Sequence, residues 1–368
     1  MNYKELDTPA LIIDKKIMME NIRNMQDYAN RNKVNLRPHT KTHKMPHIAL
    51  IQEQFGAKGV TVAKVGEAEV MAANGLTDIF IANEIVGNEK FKRIAALTEI
   101  VNISFGIDSI AQTEMIEIAF EGANKKAVVL IEIEVGENRS GVIEDKDFIE
   151  LVKYLKSCKN IEFQGIFSHE GHSYSSVSEE ECYEIFMASQ KRTLSFAKLA
   201  ESEGLKCKTV SIGATPSLMH DFPILPGITE IRPGTYIFMD AAQGNHIGTY
   251  SRCAATVLTT IISKPTSVRV ITDVGAKGIT TQTRNKGMCA TKGMGVIKDF
   301  DNVNIDAVYD EHAIIYNKDF HDKVNVGDKV EIIPNHICPV VNLHENAYFI
   351  DMGEVVETVP VLCRGKLK

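Results

Sequence analysis

Apolar and polar positions alternate between two periods along the first two thirds of this chain. From Val34 onward, short runs rich in valine, isoleucine and phenylalanine are followed by longer segments whose apolar residues recur at helical spacing. The strand-like runs are 34–36, 59–63, 78–82, 101–106, 127–135, 161–168, 209–212 and 229–232. Helix-like segments lie between them, including 45–55, 65–74 (ended by Gly75) and a long one over 177–204. An earlier strand over 8–13 precedes a helix in which Met18, Ile22, Met25 and Ala29 share one face, with Asp14 placed to cap it. Eight strand–helix repeats over about two hundred residues predict a (β/α)8 TIM-like barrel. An open doubly wound sheet is the alternative, but no G-x-G-x-x-G follows the first strand.

After Ala241 the pattern changes. Runs 253–263, 267–272, 304–309, 312–317, 329–334 and 347–351 are short and β-rich, separated by turn residues and without long helices. This predicts a barrel over residues 14–240 and an all-β domain over 241–368, with residues 1–13 able to pair with the latter. The 368 residues are too many for one ordinary core, in keeping with two domains. Hydrophobic content of 44% and charged content of 24% are those of a soluble globular protein. A net charge of −7 argues against nucleic acid, and no apolar run reaches membrane-span length. Seven cysteines without a C-x-x-C pair, and no apolar signal core at the N-terminus, lead us to expect a cytoplasmic protein.

Barrels carry their reactive groups on the loops after their strands. The first such loop is Leu36-Arg37-Pro38-His39-Thr40-Lys41-Thr42-His43-Lys44, five basic or imidazole side chains in nine residues. A crowded, partly desolvated lysine has the depressed pKa that Schiff-base formation needs. Taken alone, the stretch reads equally as a solvated anion-binding loop. Further on come Gly136-Glu137-Asn138-Arg139, then His169, Gly171, His172 and Tyr174. The last two loops, Gly213-Ala214-Thr215-Pro216-Ser217 and Pro233-Gly234-Thr235-Tyr236, carry glycines and hydroxyls suited to a phosphate. Either one alone would pass for a plain turn. Together, beside a Schiff-base lysine, they suggest pyridoxal phosphate (PLP).

These residues also carry a resemblance. Asp7-Thr8-Pro9-Ala10, Arg37 through Lys44, Gly165 through Tyr174, Ser211 through Ser217, Arg232 through Tyr236 and Pro334-Asn335-His336-Ile337-Cys338-Pro339 resemble the fold-type III PLP enzymes. The branch is that of D-serine dehydratases and D-threonine aldolases, whose barrel is of the alanine racemase N-terminal type. The resemblance implies Lys41 as the Schiff-base lysine, with Lys44 a neighbour. It implies Arg139 at the cofactor's phenolic oxygen, Tyr174 near the pyridine nitrogen, His169 among the cofactor contacts, and Gly213, Thr215, Gly234 and Thr235 as the phosphate cradle. His336 and Cys338 would hold a catalytic divalent metal, both pointing one way from an extended chain. A lone H-x-C is weak by itself; given the resemblance, imidazole and thiolate favour Zn²⁺, with Mn²⁺ the other candidate.

Two departures bear on function. Arg232-Pro233-Gly234 resembles the racemase version, in which an arginine faces the pyridine nitrogen, so Arg232 competes with Tyr174 for that role. The chain also has no tryptophan, unlike the C-terminal segment of alanine racemases. The expected activity is therefore a metal-assisted PLP lyase on small D-β-hydroxy-amino acids: D-serine dehydratase first, D-threonine aldolase as the alternative. A racemase or a non-catalytic PLP-binding protein ranks lower. A head-to-tail homodimer is expected, with the metal pair facing a lysine of the other subunit.

Overall fold

The apolar runs become parallel strands whose faces are covered on both sides, by the barrel interior and by surrounding helices. The computed structural model describes all 368 residues. Strand β1 is Ala10–Asp14; the barrel strands follow as β2 (Asn35–Leu36), β3 (Val60–Val62), β4 (Asp78–Glu84), β5 (Asn102–Ile107), β6 (Ala127–Ile133), β7 (Ile161–Ser168), β8 (Thr209–Ile212) and β9 (Glu230–Ile231). They form one eight-stranded parallel sheet in the order β2-β9-β8-β7-β6-β5-β4-β3. Its two ends meet where His39 bridges Thr61: Thr61 N–H donates to the Pro38 carbonyl and Thr40 N–H to the Thr61 carbonyl, both at 2.8 Å. All eight expected strands are present; four are a residue or two shorter than their apolar runs, and β4 extends two residues further, to Glu84.

Local signals place the helices. Asp14 accepts from Ile17 N–H at 3.0 Å and starts the helix Lys15–Arg31, which buries Met18, Ile22, Met25 and Ala29. Ser178 caps the long helix Glu179–Ser202 in the same way, so this helix begins two residues inside the apolar pattern.

The remaining strands are β10 (Ala255–Ser263), β11 (Arg269–Thr272), β12 (Val296–Ile297), β13 (Ala307–Val308), β14 (Ala313–Tyr316), β15 (Lys329–Ile333), β16 (Asn346–Asp351) and β17 (Glu354–Pro360). They join β1 in a nine-stranded, mostly antiparallel sheet. Strand β1 lies between β10 and β16, so the N-terminal segment does belong to this second sheet. Two strands have no counterpart in the apolar pattern. Strand β12 has only two residues, and β17 is a largely exposed edge that mixes valines with glutamates and a threonine without an apolar alternation; pairing with β16 makes it a strand.

Backbone contacts bring the end of β15 to the barrel mouth. Ala241 N–H donates to the Pro334 carbonyl at 2.9 Å, and Cys363 N–H to the Lys44 carbonyl at 3.0 Å. The chain does not stay extended through His336 and Cys338. His336 caps a short helix, Ile337–Val341, that contains Cys338.

Candidate active site

The basic loop after β2 is not a solvated anion trap. Arg37 pairs with Asp78 at 2.7 Å and Glu230 at 2.8 Å. His43 is buried against Gln52. Lys44 adopts a left-handed backbone (φ 55°) and pairs with the buried Glu67 at 2.5 Å. Lys41 has no ion pair. It lines a cavity of about 270 Å³ together with His39, Glu84, Glu132, Arg139, His169 and Arg232. Burial lowers its pKa below the ordinary lysine value; Cys338 opposes this, while Arg139 and Arg232 add to it.

The other walls are charged and mutually restrained. Arg232 donates to Ser211 Oγ at 2.6 Å and to the Ser168 carbonyl at 2.7 Å, and its guanidinium lies over Phe167 and Phe80. Burial brings Arg232 down to about 10, which still leaves it charged at neutral pH. His169 Nδ1 meets Glu137 at 2.9 Å, yet burial holds its pKa at about 4, so the ring is neutral. Arg139 reaches Glu137 at 3.5 Å and Glu132 at 3.7 Å. Glu84 is half-buried beside Glu132; burial first, then that neighbouring carboxylate, raises it to about 9. A larger cavity of about 720 Å³, between Ile17, Tyr250 and the turn at Asp299, holds none of the expected cofactor groups.

His336 and Cys338 border the same loop. The Cys338 thiol is 3.2 Å from Thr42 Oγ1, one residue from Lys41 in the same chain. Burial pushes this thiol up, but the His336 ring and Lys41 more than offset it, leaving about 7. His336 moves the opposite way, to about 10: burial lowers it, and Cys338 and Asp240 outweigh that. Each therefore favours the charged form of the other. Asp240 Oδ2 orients the pair, facing His336 Nδ1 and accepting from Ile337 N–H, both at 3.1 Å. That contact, not an extended chain, is what brings the two side chains together.

The candidate cradle adjoins these groups. A Cβ at Gly213 (φ 150°) would lie 2.8 Å from Arg232 N, and one at Gly234 would lie 3.0 Å from Thr42 Oγ1, so both turns need glycine for close approach. Thr215 is buried at the start of the helix Thr215–Leu218, and Thr235 Oγ1 is 3.7 Å from Cys338 Sγ. Tyr174 lies with this second group: Arg284 covers its ring at 4.2 Å and Thr235 is a hydrogen-bond partner. It is not among the side chains lining the Lys41 cavity, whereas Arg232 is.

Comparison with known proteins adds a lineage to this geometry. Residues 13–242 match the alanine racemase N-terminal domain, and residues 254–350 match a serine dehydratase domain. The chain belongs to this family of fold-type III PLP enzymes. It is 30% identical to a D-threonine aldolase of an Arthrobacter species, over 98% of this chain and 93% of that one. It is 28% identical to a D-serine dehydratase of Dictyostelium discoideum, over 95% of each. The solved D-threo-3-hydroxyaspartate dehydratase of Delftia sp. HT23 superimposes with a TM-score of 0.91 at 26% identity, covering 98% of this chain and 99% of that one. The protein is accordingly a PLP-dependent lyase of D-amino acids.

The residues present suit both groups that the family implies. The amine of Lys41 is free of ion pairs beside a cavity with two arginines; the turn at Gly234 closes on its loop and the turn at Gly213 on Arg232. A thiol held low and an imidazole with a carboxylate behind it form a donor set suited to a divalent metal. Glu84, Glu132 and Asp240 escaped the sequence reading. The two glutamates sit within β4 and β6 rather than on the loops after them, and Asp240 looks like an ordinary helix cap.

Proposed function

We propose that the protein dehydrates D-serine to pyruvate and ammonia, with PLP on Lys41 and a zinc ion on His336 and Cys338. The observation that supports this is the meeting of an ion-pair-free lysine and the His336–Cys338 pair at one loop of a single chain. An α,β-elimination needs a base for the α-proton and an acid for the departing β-oxygen. PLP, when bound, accepts the electron pair left at the α-carbon, and the metal, when bound, supplies a Lewis acid.

The chain's own residues do the rest. Lys41, its pKa lowered by burial, would be the base for the α-proton. Arg139, braced by Glu132 and Glu137, is the candidate partner of the phenolic oxygen. Arg232, rather than Tyr174, is the candidate partner of the pyridine nitrogen, because it is the one that lines the Lys41 cavity. His169, neutral and tied to Glu137, would pack beside the cofactor. Gly213, Thr215, Gly234 and Thr235 would receive the phosphate. In this reading the barrel domain is residues 14–240, and residues 1–13 with 241–368 form the metal-bearing domain.

A second reading, retro-aldol cleavage of D-threonine to glycine and acetaldehyde, is favoured by the identity to the Arthrobacter aldolase. It asks for a base at the β-hydroxyl, and the neutral His39 and His169 are in the same cavity. Incubating zinc-loaded protein with D-serine and with D-threonine, then separating products, decides between them. Pyruvate from D-serine is expected. Glycine and acetaldehyde from D-threonine, with no pyruvate from D-serine, would replace the dehydratase reading with the aldolase.

A further inference from the structure

A second group of metal-ligating side chains lies apart from the Lys41 cavity and the His336–Cys338 pair. Three elements distant in sequence contribute to it: Cys182 from the helix Glu179–Ser202, His220 from the turn after the helix Thr215–Leu218, and His246 from the helix Ala241–Ile247. The Cys182 sulfur and ring nitrogens of both histidines lie within 4.8 Å of one another. Cys182 and His246 are buried, and His220 is partly so.

The orientation of the rings is informative. The two Nε2 atoms face each other at 3.0 Å, so each histidine turns its Nδ1 outward. Nδ1 of His220 points to the Glu179 carboxylate at 3.5 Å. Nδ1 of His246 is buried without a hydrogen-bond partner, and the Pro216 backbone lies beside this ring. The His220 ring is stacked on Phe222, with centroids 4.8 Å apart. An outer carboxylate or carbonyl on Nδ1, with Nε2 free to bind, is the usual surrounding of metal-ligating histidines. The sulfur has a 3.9 Å contact with Ser217 Oγ and a second hydroxyl neighbour in Ser176. One N–H···N hydrogen bond would account for the histidines but not for the thiol beside them.

The spacing suits zinc. Bond lengths of about 2.0–2.1 Å to nitrogen and 2.3 Å to sulfur in a tetrahedron put ligand atoms about 3.3–3.6 Å apart. The two Nε2 atoms, 3.0 Å apart, are a little closer than this, and the sulfur lies within 4.8 Å of a ring nitrogen of each histidine, so small side-chain shifts reach the required spacing. One thiolate and two imidazoles also select zinc over magnesium or calcium.

We propose that Cys182, His220 and His246 form a second zinc site, with Glu179 as the outer partner of His220 and water in the fourth position. Binding displaces the proton of the Cys182 thiol to solvent and breaks the N–H···N contact, leaving both histidines protonated on Nδ1 only. A cavity of about 270 Å³ bordered by His220 and Asp221 offers the approach for ion and water. The site would tie three pieces of the barrel mouth together. The turn containing Thr215 and Pro216 is one, and the helix that Asp240 caps is another.

The test uses the full chain carrying His336→Ala and Cys338→Ala, so that the candidate catalytic pair cannot contribute. This protein is loaded with zinc, desalted, and its metal counted by elemental analysis, with the PLP absorbance as a check of folding. About one zinc per chain is expected, and a rise in Tm on loading. Adding Cys182→Ser should bring the count close to zero. His220→Asn, at a partly exposed position, repeats the measurement with a change that leaves the buried helix packing intact. Replacing zinc with Co²⁺ should give a thiolate charge-transfer band that Cys182→Ser abolishes. A folded His336→Ala/Cys338→Ala protein that retains no zinc would overturn the proposal, leaving only a histidine–histidine hydrogen bond. Zinc that survives both Cys182→Ser and His220→Asn would overturn it too. Either result leaves the D-serine reading untouched, since the catalytic pair is absent throughout.

Discussion

Asp240→Asn isolates what the carboxylate behind His336 contributes. One oxygen of Asp240 accepts from Gln243 N–H at 2.9 Å and caps the helix Ala241–Ile247; the other serves His336 Nδ1 and Ile337 N–H, each at 3.1 Å. Asparagine is nearly isosteric and caps a helix about as well. It has a single acceptor oxygen, however, and must choose between the cap and the metal side. If the cap keeps the oxygen, the amide NH₂ is turned on two N–H donors, and His336 loses the group that fixes its tautomer. Loss of such an outer carboxylate typically weakens metal binding by about 10- to 100-fold. That corresponds to about 1.4–2.7 kcal/mol. A chromophoric chelator competing for zinc measures it, in a Cys182→Ser/His220→Asn background so that only the candidate catalytic pair is read. The PLP absorbance should not change. A zinc affinity equal to that of the background protein would refute the argument that Asp240 orients His336 for a metal.

The remaining predictions concern the two lysines, the metal, one buried acid and the subunit arrangement. Lys41→Ala should abolish the visible absorbance of lysine-bound PLP, whereas Lys44→Ala should keep it while losing stability. The buried Glu67 would then be left unpaired, at a cost of about 3–5 kcal/mol; the opposite pattern would reassign the cofactor lysine. Exhaustive chelation should stop turnover and leave the PLP spectrum intact; full activity without metal would remove the metal from the reaction. Burial raises Glu170 from 4.5 to about 7, so the native state holds a proton that the unfolded chain releases above 4.5. Stability should therefore fall as pH rises from 4.5 to about 7, by about 3 kcal/mol in total, and then level off. Thermal scans across that window should show a shallower slope in Glu170→Gln, and an unchanged slope would sink the assignment. Mixing Lys41→Ala with Cys338→Ala subunits should restore no activity, because Thr42 and Cys338 meet within one chain; recovered activity would mean a site shared between subunits.

The sequence alone determined the architecture. Parallel strands covered on both faces must be apolar throughout, and barrel helices must show an apolar stripe, so both periods were legible from Val34 to Ile231. The rule that barrel chemistry sits after the strands also pointed to the loops bearing Lys41, Arg139, His169 and Arg232, which line one cavity. Tertiary structure decided which of these groups is free. Lys41 and Lys44 are alike in the sequence, and only the approach of Glu67 from another helix neutralises one and leaves the other. Glu84 and Glu132 read as strand residues until the sheet, with β5 between their two strands, brings them to the same cavity. The H-x-C pair was visible, but not the reason it works as a pair: Asp240, about a hundred residues earlier, folds the chain at His336. Cys182, His220 and His246 are unremarkable singly and meet only through packing of three helical segments. Periodicity records which face of a segment is buried; it does not record what that face is buried against, and the protonation and partners of these groups depend on the latter.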